Sequence, residues 1–132
     1  MQHLLYRLFH ANKISPPRAV FQAFKAAFGQ TVNVEWQRED HRFEAMFYID
    51  SVEHIAVFTP LGHLIETKRN LSLDTANEHV RHQAALIGEL MNLIEISRDN
   101  RIFYDVIARD ATLDRYYILL DDQGTVLEKK KL

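Results

Sequence analysis

The chain has 132 residues, 47% of them hydrophobic and 26% charged, with no Cys and a formal net charge of −2. That size and balance suit one globular domain and exclude intrinsic disorder and collagen-like sequence. The charge excludes a basic nucleic-acid footprint, and a Cys-free chain has no disulfide framework, thiolate metal site or Cys nucleophile.

The first stretch, residues 1–13, places Leu4, Leu5, Leu8 and Phe9 along one side of a short helix. Arg7 and His10 interrupt any apolar run long enough for a secretory signal. No stretch reaches the ~20 apolar residues that span a bilayer. The segment reads as a leader packing on the body, and the chain as cytoplasmic if Met1 is the true start.

Ser15-Pro16-Pro17 opens a helix, with Ser15 as N-cap and proline where no hydrogen bond is lost. Val20, Phe21, Phe24, Ala27 and Phe28 follow at three- and four-residue spacing, which lays them on one core-facing stripe. Gly29 stands where a left-handed residue ends a helix. Residues 31–37, 43–49, 54–59 and 63–69 then read as strands separated by short polar or Gly/Pro turns. Connections this short join antiparallel neighbours.

The pattern then restarts. Thr75 and Glu78 fit a capping box, and a helix should run from there to near Gly88. Strand patterns recur over residues 90–97, 102–109, 115–120 and 125–130. Val20 aligns with Val80, Val34 with Ile94, Glu35 with Glu95, Gly62 with Gly124 and Glu66 with Glu128. Phe43-Glu44-Ala45-Met46 aligns with Tyr104-Asp105-Val106-Ile107, and residues 54–58 align with 116–120.

These correspondences predict a leader at 1–13, a first α-β4 repeat at 14–70 and a second at 71–132. A unit of ~60 residues has a marginal core alone, and joining two sheets hides one unpaired edge from each. The expected fold is α+β: two tandem α-β4 repeats forming one antiparallel sheet with both helices packed on one face.

Pro17-x-x-Val20-x-x-Ala23-Phe24-x-x-x-Phe28, then Val34-Glu35-Trp36, an aromatic second strand and a closing Gly-x-Leu/Val-x-Glu turn resemble the PepSY-like, β-lactamase-inhibitor-like bacterial domains. The resemblance covers about residues 14–132, tandem arrangement included. It implies a small, non-enzymatic, mostly extracytoplasmic protein with a role in protein binding or inhibition. It supplies no catalytic residue.

Strand alternation assigns faces. With Phe43, Ala45, Phe47 and Ile49 toward the first helix, Met46 and Tyr48 point away. In the continuously apolar third strands, Ile55 and Val57 are placed inward with Tyr117 and Leu119. Phe58, Tyr116, Ile118 and Leu120 then face outward, beside Ile107 and Arg109. A helix-free face carrying Met46, Tyr48, Phe58, Ile107, Arg109, Tyr116, Ile118 and Leu120 is too apolar to stay in water. It is expected to bind a protein or peptide partner, or to form a homodimer. The alternative is cover from within the chain, by the N-terminal segment or a curl of the sheet.

No metal or cofactor is expected. His79 and His82 share a helix face beside Glu78, but zinc needs three or four convergent ligands. No catalytic residues stand out either. Asp110, Asp114, Asp121 and Asp122 sit in turns, and no serine lies in a nucleophile elbow. The remaining enzymatic or small-ligand reading is a sheet concavity lined by Glu44, His54 and Arg109. Lys129-Lys130-Lys131 reads as the protected end of an edge strand.

Overall fold

The computed structural model describes residues 14–29 and 33–132. The leader expected over 1–13, and Thr31 and Val32 of the first expected strand, lie outside the described residues. The element order is α1 (Arg18–Phe28), β1 (Glu35–Glu39), β2 (Arg42–Ile49), β3 (Val52–Phe58), β4 (Leu64–Asn70), a 3-10 turn (Leu73–Thr75), α2 (Glu78–Ala85), β5 (Glu89–Arg98), β6 (Arg101–Arg109), β7 (Arg115–Asp121) and β8 (Val126–Lys131). The strands follow chain order in one eight-stranded antiparallel sheet. The fold is α+β, as the periodicities predict. The chain divides into two compact units at Arg69 and Asn70.

In the first unit, α1 buries Val20 and Phe24 against Trp36, Phe43, Ala45, Phe47, Ala56 and Phe58. The Phe24 ring meets Phe47 edge-on at 4.9 Å and Trp36 at 5.4 Å, the geometry that aromatic quadrupoles favour. The helix start differs from the expectation. Pro17 is the N-cap, no side chain caps the helix, and the Pro17 carbonyl accepts the Phe21 N–H at 3.0 Å. Ser15 lies two residues upstream of the N-cap position. Gly29 closes the helix at φ 71°, donating its N–H to the Lys25 carbonyl at 2.8 Å.

In the second unit, α2 buries Val80 with Ala76, Leu93, Val106, Ile118 and Leu120. The expected capping box is replaced. Asn77 is the N-cap and accepts the Val80 N–H at 2.9 Å. The Thr75 hydroxyl is already committed, donating to the Ser72 carbonyl at 2.6 Å across the 3-10 turn. The helix is also shorter than predicted and stops at Ala85, after which Gly88 donates back to Ala84 at 2.9 Å.

The units share their turn chemistry. Asp50-Ser51 and Asp99-Asn100 close two-residue hairpins, and all four residues have positive φ, as the primed turns of twisted hairpins require. The third and fourth strands of each unit slip register at matching places, Val57/Phe58 and Leu119/Leu120. Just beyond each slip, Gly62 and Gly124 bring a turn against the unit's own helix.

Candidate functional site

Residues directly paired in an antiparallel ladder share a face of the sheet. In the first unit Ala45 pairs with Trp36 and Ala56, and Phe43 pairs with Phe58; all five belong to the core under α1. In the second, Val106 pairs with Leu93 and Ile118, and Tyr104 pairs with Leu120; all pack in or against the core under α2.

Phe58, Ile118 and Leu120 are therefore core residues on the helix side, not members of an outer face. Tyr116, paired with Ala108, is on the helix side as well. The expected phase of β3 and β7 is inverted. A run in which every residue is apolar fits either phase, and volume decides between them. The Phe58 ring fills space 6.2 Å from Trp36 and 6.4 Å from Phe24, which Val57 is too small to fill. Met46, Tyr48, Ile107 and Arg109 do lie on the helix-free faces, joined there by Ile55, Val57, Tyr117 and Leu119.

The helix-free face of the first unit is built in rows. Glu35, Met46, Ile55 and Lys68 form one; Gln37, Glu44, Val57 and Glu66 form the next. The Gln37 amide donates to the Glu44 carboxylate, and Lys68 Nζ stands 3.5 Å from Glu66 Oε2. At the end of the face the Tyr48 hydroxyl donates to Glu53 Oε2 at 3.5 Å. Glu53 Oε1 is buried without a hydrogen-bond partner among the described residues. Burial pushes the Glu53 carboxyl above its ordinary range.

The helix-free face of the second unit is more open. Its rows are Ile94, Asp105, Leu119 and Glu128, then Asn92, Ile107, Tyr117 and Lys130, with Phe103 at the end beside Ile96 and Asp121. Phe103, Ile107, Tyr117 and Leu119 are half-buried. The Arg98 and Arg101 guanidinium groups lie 5.4 and 5.0 Å from the Phe103 ring centre. Lys130 Nζ lies 5.4 Å from the centre of the Tyr117 ring. Burial, with Asp105 and Glu128 nearby, holds the Tyr117 hydroxyl protonated, its pKa pushed up to about 12. Arg109 pairs with Glu89 at 3.2 Å.

Alternation puts Tyr117 and Leu119 inward and so misses them as surface residues; Phe103 shares the outward phase of Ile107 and Arg109 but is not among the residues singled out from the sequence. The signal available for Phe103 is its place two residues after Arg101 and five after Arg98, across a two-residue turn.

Among the described residues, the expected lining of a sheet concavity is not brought together. His54 pairs with Phe47 and stacks on its ring at 5.5 Å, on the helix side, whereas Glu44 projects from the opposite face. A concavity shared by these two is excluded. Asp110 and Asp121 act as turn acceptors: Asp110 Oδ1 takes the Thr112 hydroxyl at 2.8 Å, and Asp121 Oδ1 takes the Thr125 N–H at 2.9 Å. These bonds hold both carboxyls below the usual range. Among the described residues, no group of three His, Asp or Glu is arranged to hold a metal ion, and no helix is long and apolar enough to cross a membrane.

No protein-family model and no curated protein matches the chain significantly. Solved structures do match. A DUF2874 family protein from Bacteroides uniformis superposes with TM-score 0.80 at 17% identity, covering 89% of this chain and 90% of that one. A candidate periplasmic protein from Bacteroides eggerthii gives TM-score 0.81 at 17% identity, with 89% and 90% covered. A BLIP-like protein from Bacteroides fragilis gives 0.74 at 14% identity, with 90% and 88% covered. The chain thus has the fold of BLIP-like, that is β-lactamase-inhibitor-protein-like, structures.

Proposed function

We propose that this protein is a non-enzymatic protein- or peptide-binding module, inhibitor-like in mode, whose docking surface is the helix-free face of its second unit. The observation that carries the reading is the half-buried Phe103 flanked by Arg98 and Arg101, beside Ile107, Tyr117 and Leu119. Aromatic and arginine side chains dominate binding hot spots, because they bring large area at little entropy cost. Met46, Tyr48 and Arg109 stay in the proposal as further contacts on helix-free faces. The BLIP-like fold supports a protein partner, and the Bacteroides eggerthii neighbour supports an extracytoplasmic setting. The matching register slips and glycine turns support reading the units as tandem repeats, 14–70 and 71–132, of the PepSY-like kind.

The test is affinity capture from a periplasmic extract with the immobilised wild-type chain and with a Phe103→Ala/Ile107→Glu variant. The expected result is a partner held by the wild type and lost by the variant while the variant keeps its circular dichroism. Equal capture by both would remove this face from the account.

A further inference from the structure

Among the described residues the chain builds one turn three times. In each, the first residue donates its N–H to the carbonyl four residues on, and the fourth residue donates back to the first. Thr59 donates to His63 at 2.9 Å and Gly62 to Thr59 at 3.0 Å. Asp121 donates to Thr125 at 3.0 Å and Gly124 to Asp121 at 3.1 Å. Asp110 donates to Asp114 at 2.9 Å and Leu113 to Asp110 at 3.0 Å. The fourth residue is left-handed every time, with φ 90° at Gly62, 85° at Gly124 and 69° at Leu113. Glycine takes that conformation freely, and a branched side chain does not.

Neither the backbone nor the core asks for leucine at this place. The other described non-glycine residues with positive φ are Asn33, Asp40, Asp50, Ser51, Asp99 and Asn100, short polar types whose side chains bond locally. Leu113 is 67% exposed, so burial offsets little of the cost.

The turn is also braced. Asp110 Oδ1 accepts the N–H groups of Thr112 and Asp114, each at 3.0 Å, and the Thr112 hydroxyl at 2.8 Å. Lys131 Nζ stands 3.3 Å from Asp114 Oδ2. A left-handed leucine persists only where its surroundings over-determine it. The result is a large apolar side chain held in solvent at a fixed place. Such a group has little conformational freedom left to lose on binding.

The charge beside it is positive. Arg109 and Arg115 bracket the loop and pair directly across β6 and β7 on the helix-free face, where like charges repel. Glu89 compensates Arg109 at 3.2 Å. Arg115 is exposed and has no ion pair among the described residues. It follows Leu113 by two residues, so their Cα atoms are within ~7 Å. The carboxylates of the loop are committed, Asp110 to the turn and Asp114 to Lys131.

We propose that Leu113 is the anchor by which the β6–β7 loop seats in a protein partner: the leucine enters an apolar pocket, and a carboxylate on the pocket rim pairs with Arg115. The proposal rests on the protein-binding reading above but not on the Phe103 face, which can fail separately.

A photoreactive diazirine analogue of leucine at position 113, irradiated in periplasmic extract, tests it. Mass spectrometry should place the cross-link on one protein, at an apolar residue with Asp or Glu beside it. Excess unlabelled wild type should suppress the cross-link tenfold or more. Leu113→Asn, which tolerates the left-handed turn, and Arg115→Glu should each compete at least tenfold more weakly. Leu113→Asn should melt no lower than the wild type, whereas a merely structural leucine would lose binding and stability together. A cross-link no stronger than that from the same analogue at Leu61, which is 78% exposed, overturns the proposal. So does a cross-link to a second copy of this chain, or competition by Leu113→Asn equal to the wild type. Equal competition by Arg115→Glu overturns the carboxylate rim. The Phe103→Ala/Ile107→Glu variant separates the two readings. If it competes like the wild type while Leu113→Asn does not, the anchor stands and the face falls; the reverse result keeps the face and removes the anchor.

Discussion

A Cβ placed on Gly62 would meet the carbonyl oxygen of Ala19, in helix α1, at 2.7 Å. The turn after β3 thus lies directly against the helix backbone, in a left-handed conformation with φ 90°. Both the space and the dihedral demand glycine. Gly29, at φ 71°, has the dihedral demand alone, since nothing lies within 4 Å of its added Cβ. Gly29→Ala should therefore cost about 1–3 kcal/mol through backbone strain, and Gly62→Ala clearly more. Urea midpoints of the two variants, measured side by side, check the order.

The inverted phase of β3 has a direct energetic signature. Phe58 is fully buried and Tyr48 is 49% exposed. Phe58→Ala should destabilise by about 3–5 kcal/mol, the range for a large core aromatic. Tyr48→Ala should change stability by less than about 1 kcal/mol. Chemical denaturation of both variants measures the contrast, and equal losses would return Phe58 to the surface.

Glu53 gives the protein a pH response of definite sign. Its folded pKa is raised by burial above the unfolded value. Between the two values the native state holds the extra proton, so stability falls as pH rises through that window. Glu53→Gln removes this titration. The variant should gain on the wild type across the window and stay ahead at neutral pH. Below the unfolded carboxylate value of about 4.3 the difference should be small. Thermal midpoints of both proteins from acid to neutral pH read it out; parallel curves would contradict it.

Helix α2 should depend on Asn77 rather than Thr75. Asn77→Ala removes the acceptor of the Val80 N–H and should cost about 1 kcal/mol. Thr75→Ala removes an exposed hydroxyl bond to Ser72 and should cost less. Denaturation of the two single variants decides.

Leu113 stands at φ 69° and is 67% exposed, in the loop that Asp110 holds through the backbone of Thr112 and Asp114. A branched side chain is disfavoured there by about 1–2 kcal/mol. Leu113→Gly should raise the melting temperature, unless the flexibility of the unfolded glycine offsets the relief. Leu113→Asn, which tolerates the same region, separates the two effects.

Most of the fold is written in local patterns that survive without tertiary information. Val20, Phe24 and Phe28 mark α1 by spacing, and Phe43, Ala45 and Phe47 mark β2 by alternation. The faces of β3 and β7 are not written this way. In residues 55–58 and 116–120 every position is apolar, so only the fit of Phe58 beneath Phe24 and Trp36 fixes the phase. The start of α2 was hidden for another reason. Thr75 and Asn77 are both good caps, and the choice depends on a 3-10 turn that occupies the Thr75 hydroxyl. The candidate surface inherits the first of these gaps: Met46, Tyr48, Phe103, Ile107 and Arg109 follow from alternation, whereas Tyr117 and Leu119 require the ladder.

Within each unit every strand pairs with its sequence neighbour. No ladder inside a unit has to wait for a distant part of the chain to arrive. Short loop closures of this kind lower the entropic barrier to forming the sheet. Each unit can therefore zip hairpin by hairpin from the Asp50-Ser51 and Asp99-Asn100 turns, so that its hairpins close while later residues are still being synthesised.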